Sequence, residues 1–210
     1  MFKKLFKFFL GLLLLVLLVH HSVYFKKLSA SKSSEAVAFN AKEYARTYVL
    51  TKIPAAKNKA VDIYELLSAL KADRKKAFDT YSSKQHTGDL NYFLVKGQAQ
   101  ISQIDEEQLG LKSTNAKAEF KLALKYIFGN AARDCSDLIS INDFSNTMDL
   151  NNVSEEINQL IRKEIIPSFI AKAKKGDQIE FIGALELSST ETQKAVEVIP
   201  LSLQFKSPKL

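Results

Sequence analysis

Two short polar segments hold the side chains that are best suited to chemistry. One covers residues 129–134 and the other covers residues 142–146. The guanidinium of Arg133 presents a planar set of donors that fits a carboxylate, a phosphate or a pair of sugar hydroxyls. Asp143 and Asn146 can accept from and donate to sugar hydroxyls. We therefore predict a binding site of five residues in these segments: Gly129, Arg133, Asp134, Asp143 and Asn146.

The same segments also have a structural explanation. An ion pair of Arg133 with Asp134 or Asp143 would lock the loop, and Asn142 and Asn146 would cap turns. Because turn-forming residues are expected between elements in any case, we expect Arg133 to be structural and keep the binding site as the alternative.

Residue types that support catalysis or metal binding are scarce elsewhere. His86 is the one histidine after the first 28 residues and lies in a polar stretch typical of a loop. A histidine-based triad or a zinc site therefore lacks its parts. Cys135 is the one cysteine, and we expect a small half-buried filler rather than a nucleophile. We predict a protein that is not an enzyme and has no metal or cofactor. Little beyond the side chains of Arg133, Asp134 and Cys135 suggests catalysis.

Residues 1–28 form a basic and apolar leader. Three lysines precede a largely apolar run over residues 8–25, which is at the short end of what spans a bilayer. Neither a cysteine nor a small-residue cleavage site follows the run. We expect an uncleaved signal anchor in the inner membrane, with the body in the periplasm. The alternative is a cleaved signal peptide and a soluble periplasmic protein.

The charge distribution bears on the partner of the body. Residues 1–28 contain five lysines and no acidic residue, so they supply five of the seven net positive charges. Residues 29–210 contain 25 basic and 23 acidic residues. A nearly neutral body releases few counterions from phosphates, which argues against nucleic acid as the partner. A carbohydrate would stack on aromatic rings, and without tryptophan the candidates are Tyr92 and Tyr126.

The sequence after the leader divides into three regions. Residues 29–34 are small and polar and are expected to form a linker. Residues 35–87 carry apolar side chains at spacings of three and four, which predicts a prefix of helices, the first of them ended by Pro54. Residues 88–210 carry apolar side chains at a spacing of two, which is typical of strands with one buried face and one wet face.

Five strands and one helix are expected in the last region. The alternation predicts strands at residues 92–101, 118–128, 138–142, 179–187 and 199–205. Asn152 and Glu155 form a capping pair that would begin a helix between strands 3 and 4, and Pro200 marks an edge or a bulge. We therefore predict an α+β protein with an N-terminal membrane anchor helix, a helical prefix and a five-stranded antiparallel OB-like barrel.

The body resembles a family of predicted bacterial periplasmic lipoproteins of unknown function. The resemblance covers about residues 36–205 and rests on segments 93–101, 129–134, 143–146, 175–177, 181–184 and 199–203. It implies an OB-like barrel behind a helical prefix, and it marks the five predicted site residues as positions of the family pattern. Members of the family often accompany sugar ABC transport systems, which implies a transporter component or a carbohydrate as the partner.

The chain departs from the family pattern at two points. It lacks the cysteine that would carry a lipid after the apolar run, and it carries Cys135 where a small residue is expected. A spanning helix would then replace the acyl anchor. We expect a membrane-anchored periplasmic binding or accessory protein, associated with a sugar or solute transport system. The alternative is an oligonucleotide-binding OB module, because exposed aromatic side chains can stack on bases.

Overall fold

A computed structural model describes residues 2, 5–13, 39–113, 118–190 and 196–206. The chain divides into two units, Met1–Phe39 and Asn40–Leu210. In the first unit, residues 5–13 are helical and exposed. Within the described ranges, every helix is too short or too polar to cross a membrane. The rest of the expected anchor, residues 14–25, and the expected linker lie outside the described residues.

Three helices begin the second unit. Helix α1 has three continuous parts: Ala41–Thr47, the π turn Tyr48–Lys52 and Ile53–Ala55. A 3₁₀ turn, Lys57–Lys59, follows it. Helix α2 covers Ile63–Ala72 and helix α3 covers Arg74–Tyr81. These helices occupy the region where the sequence predicts a helical prefix.

Among the described residues, seven strands form one sheet that closes into a barrel. The short strands β1 (Val61–Asp62) and β2 (His86–Thr87) pair with the long strand β3 (Leu90–Ile104). The other strands are β4 (Gln108–Lys112), β5 (Glu119–Ala123), β6 (Gln178–Ser188) and β7 (Glu197–Phe205). The barrel order is β3-β4-β5-β7-β6, and β6 pairs back with β3. The predicted five-stranded barrel is therefore confirmed.

Two details of the predicted barrel are wrong. Residues 138–140 are irregular and residues 141 and 142 belong to a 3₁₀ helix, Ile141–Asp143, so the second barrel strand is β4 instead. Buried Ile139 packs in the helical layer, which explains the misleading alternation there. The pairing is also not antiparallel throughout, because β5 and β7 are parallel. The helices between β5 and β6 let β7 return beside β5 in the same direction.

Helices α4 and α5 connect β5 to β6, which confirms a helix between the third and fourth barrel strands. Helix α4 covers Ala131–Asp134, and α5 has three parts: Thr147–Leu160, the π turn Ile161–Ile165 and Ile166–Ile170. The predicted start of this helix at Asn152 is wrong. Asn146 is the cap, because its side chain accepts a hydrogen bond from the Asp149 N–H at 2.9 Å, and exposed Asn152 lies inside the helix.

Both long helices continue past a proline, and each contains a wider π turn just before it. The π turns of α1 and α5 come just before Pro54 and Pro167, so Pro54 does not end α1 outright as predicted. In α1, the Ile53 N–H donates to the carbonyl of Tyr48, five residues earlier. Proline lacks an N–H and crowds the carbonyl four residues before it, so the wider turn accommodates the ring without breaking the helix.

The buried side chains form two groups on opposite faces of β3. Phe93 and Val95 belong to the group that fills the barrel. Tyr92 and Leu94 belong to the group packed under α1, α4 and α5. Both faces of this part of β3 are therefore buried, whereas the sequence predicted one wet face. Pro200 pairs with Gly183 beside a bulge, which confirms the irregularity predicted there.

Candidate functional site

Three of the predicted site residues lie at the start of the connection from β5 to β6. Gly129 has a positive φ of 77°, and Arg133 and Asp134 lie in α4, where they are 7% and 3% exposed. Arg133 Nε donates to Asp134 Oδ1 at 2.5 Å and Nη2 donates to Oδ2 at 2.7 Å. Arg133 is thus paired with its chain neighbour, as the structural explanation expects, and its role toward a ligand stays a prediction.

The other two predicted residues cap local structure. Asp143 Oδ2 accepts from the Ser140 N–H at 2.8 Å and closes a capping box around the 3₁₀ helix. Asn146 caps α5, and its Nδ2 also donates to Asp149 Oδ2 at 2.8 Å. Both side chains are exposed, so they remain accessible to a ligand while they serve the backbone.

A row of polar side chains on α5 holds the segment that leads to α4. We call it the polar row; it has a spacing of four and consists of Ser154, Asn158 and Arg162. Ser154 accepts a hydrogen bond from Arg133 Nη1 at 2.9 Å. Asn158 donates to the carbonyl of Gly129 at 2.9 Å, and Arg162 donates to the carbonyl of Ile127. The polar row was not predicted from the sequence, although its spacing of four was the available signal.

The polar row contains a buried acceptor. Asn158 is 2% exposed, and its Oδ1 lacks a hydrogen-bond partner among the described residues. Its amide nitrogen is occupied by Gly129. A buried acceptor without a partner costs about 1–3 kcal/mol, so the polar row holds its segment at some cost in stability.

Residues 124–128, called the aromatic segment below, follow β5 and display two rings. Tyr126 is 64% exposed and Phe128 is 61% exposed, while Ile127 between them is fully buried. The Ile127 N–H donates to the carbonyl of Lys125 at 3.0 Å, which closes a tight turn at Tyr126. The Leu124 N–H donates to the carbonyl of Glu107 at 2.8 Å, in the loop between β3 and β4.

Charged side chains surround the two rings. The Tyr126 hydroxyl donates to Glu107 Oε1 at 3.1 Å, and the Lys125 ammonium lies 5.6 Å from the centre of the Tyr126 ring. The Arg162 guanidinium lies 4.9 Å from the centre of the Phe128 ring. These contacts fix the rings while leaving most of their surface exposed. The sequence predicted a strand through residue 128, and this part is wrong because β5 ends at Ala123.

The remaining candidates from the sequence are buried. Tyr92 is 2% exposed and donates to Thr87 Oγ1 at 3.1 Å, so Tyr126 is the accessible ring of the two proposed for stacking. Cys135 is 3% exposed. Burial raises the pKa of the Cys135 thiol far above its ordinary value, which keeps the group neutral and poorly nucleophilic at physiological pH.

Comparison with known proteins agrees with this fold. Residues 13–204 match a family described as "Predicted periplasmic lipoprotein (DUF2291)". A crystal structure of an OB-fold protein from Thermotoga maritima MSB8 is similar, with 24% identity and a TM-score of 0.71, over 80% of this chain and 99% of that chain. At this identity the likeness shows the fold alone. None of the curated proteins matches the sequence.

Proposed function

The chain belongs to the family of predicted periplasmic lipoproteins, DUF2291, and from this premise we propose a non-enzymatic accessory or binding protein. It is anchored at the periplasmic side of the inner membrane and is associated with a system that transports sugars or related solutes. The three residues that would suggest catalysis are not available for it. Arg133 and Asp134 pair with each other, and Cys135 is buried.

The observation that carries this proposal is the filled barrel. Phe93, Phe120 and Phe181 are 0%, 3% and 1% exposed inside it, and the last two rings lie 5.4 Å apart. A ligand or partner of the proposed protein would therefore bind to the outer surface and not inside the barrel. The aromatic segment borders the loop between the first two barrel strands, which is one of the regions that OB folds use for ligands.

The anchor is proposed from the leader. Residues 8–25 provide the apolar run and the lysines before it favour a cytoplasmic amino end. Intact-mass measurement of the protein from membranes tests this directly, because an uncleaved anchor leaves the full mass of the chain. A species shortened near Ala30 would exclude the anchor. A reporter fused after Leu210 that works only outside the cytoplasm should be active.

Affinity capture tests the association with transport. The full chain is used as bait with solubilised membranes, beside the double variant Tyr126→Ala/Phe128→Ala and the exposed control Met148→Ala. We expect a permease or solute-binding component with all three baits, because two aromatic side chains cover too little area to form a protein interface alone. Capture of envelope proteins without any transport component would contradict the association.

The exposed rings also support the second candidate, an oligonucleotide-binding module. Single-stranded nucleic acid requires cations along its backbone, whereas Arg162 Nη2 already donates to Glu155 Oε1 at 2.9 Å. Fluorescence anisotropy with labelled single-stranded DNA at low and moderate salt distinguishes the two candidates. We expect weak binding at both salt concentrations, and tight binding that falls steeply with salt would favour this second candidate.

A further inference from the structure

We infer that the aromatic segment is a platform for a neutral carbohydrate, on which the rings of Tyr126 and Phe128 stack against the apolar faces of sugar rings. The inference deepens the proposed function and rests on it for the biological source of the ligand. The proposed binding chemistry depends only on the aromatic segment, on the loop that contains Glu107 and on the polar row.

The rings of Tyr126 and Phe128 are held in place before any ligand arrives. Ile127 is fully buried between them. The backbone is held at Leu124 by Glu107 and at Ile127 by Arg162. A ring that is already ordered loses little conformational freedom on binding, so more of the contact energy becomes affinity. Arg162 is a positioning residue, because it holds the backbone and lies over Phe128.

The charged side chains near the two rings balance one another. Two cations, Lys125 and Arg162, lie near two carboxylates, Glu107 and Glu155. A ligand rich in phosphates would need cations in excess. Carboxylate oxygens and an ammonium group can instead accept from and donate to hydroxyls. This combination of exposed rings and balanced polar groups suits a neutral polyhydroxylated ligand.

The exposed area of the two rings suits a small ligand. A stable protein interface covers about 800 Å² on each partner, whereas two aromatic side chains supply about 300–500 Å² even when they are fully covered. A sugar ring is similar in size to one aromatic ring. The two rings therefore match one or two sugar units better than they match a protein surface.

Isothermal titration calorimetry on the full chain in detergent micelles tests the platform. The probes are glucose, ribose, maltohexaose, cellohexaose and chitohexaose, each at millimolar concentration. We expect at least one probe to bind, with about tenfold weaker affinity for Tyr126→Ala and for Phe128→Ala. Tyr126→Phe should retain most of the affinity, because it keeps the ring. Met148→Ala is the matched control and should bind like the wild type.

The outcomes separate this inference from the proposed function. Absence of binding to all five probes overturns the platform, and so does binding that the double variant Tyr126→Ala/Phe128→Ala leaves unchanged. Thermal melts of the variants ensure that a loss of binding is not a loss of folding. Sugar binding without capture of a transport component would overturn the transport association and leave the platform intact. Capture of a transport component without sugar binding would support the transport association and overturn the platform.

Discussion

Arg133 and Asp134 are neighbours in the chain and neutralise each other inside the protein. The closest contact of the pair, from Nε to Oδ1, is 2.5 Å, and the side chains are 8% and 4% exposed. The third nitrogen of the guanidinium donates to Ser154 Oγ. Because each of these two charges balances the other, removal of one partner leaves the other charge buried without its counter-charge.

Arg133→Ala should therefore destabilise the protein strongly. Breaking a buried pair from one side costs about 3–5 kcal/mol, and urea unfolding followed by circular dichroism measures the loss. The control is Arg46→Ala, because Arg46 pairs with Glu164 at the surface and its removal should change the unfolding midpoint little. Unchanged stability of Arg133→Ala, together with loss of a ligand-induced shift, would instead favour the predicted binding role.

Asn146→Ala and Asn152→Ala should have different effects, because only the first residue caps α5. Loss of the hydrogen bond to the Asp149 N–H should cost about 1 kcal/mol. Asn152 is exposed inside the helix, where alanine has the higher helix propensity, so its replacement should be neutral or slightly stabilising. Thermal melts of the two variants provide the comparison. Equal destabilisation would show that the helix begins later than Asn146.

The strands that the sequence predicted well are those with long alternation. β3, β6 and β7 are each nine or more residues long, and the predicted alternation covers at least seven residues of each. β4 has only Leu109 and Leu111 as buried apolar positions, and its pairing with β3 and β5 defines it as a strand. The alternation in β4 is only five residues long and contains Gly110, which gives a weak strand signal, so β4 was missed and residues 138–142 were chosen instead.

The candidate site was predictable only in part, because some of its contacts join segments that lie far apart in the chain. Turn-forming residues indicated the segment that contains Arg133, because their side chains act on nearby backbone. The polar row acts on residues about twenty to thirty-five positions earlier in the chain, and nothing in the local sequence reveals those partners. The exposure of Tyr126 and Phe128 also follows from the end of β5, which depends on its pairing with β4.

Gly183→Ala should destabilise the barrel. A Cβ at this position would lie 2.7 Å from the carbonyl oxygen of Ile199 and would also clash with Val198 Cγ1. Overpacking of this kind costs about 1–3 kcal/mol, and urea unfolding measures it. Gly110→Ala is the milder control, since its nearest contact is the Ser102 hydroxyl at 3.0 Å. Similar stability of the wild type and Gly183→Ala would show that β6 and β7 can separate at the bulge.

Glu186→Gln should stabilise the protein at neutral pH. Glu186 lies opposite Tyr92 on β3, and burial raises the pKa of its carboxyl above the ordinary 4.5. A raised pKa means that the folded state binds the proton more tightly than the unfolded state does. The stability associated with protonated Glu186 is therefore fully present below pH 4.5 and is lost as the pH rises through the raised pKa.

The variant removes this titration, so its melting temperature should exceed that of the wild type at pH 7. The difference should shrink as the pH falls below 4.5, where both side chains are neutral. Exposed Glu197 supplies the control, because Glu197→Gln should show no such pH-dependent gain. Melts between pH 3 and pH 8 measure the difference. A lower melting temperature of Glu186→Gln at pH 7 would show that the carboxylate is stabilised by its surroundings and not disfavoured by burial.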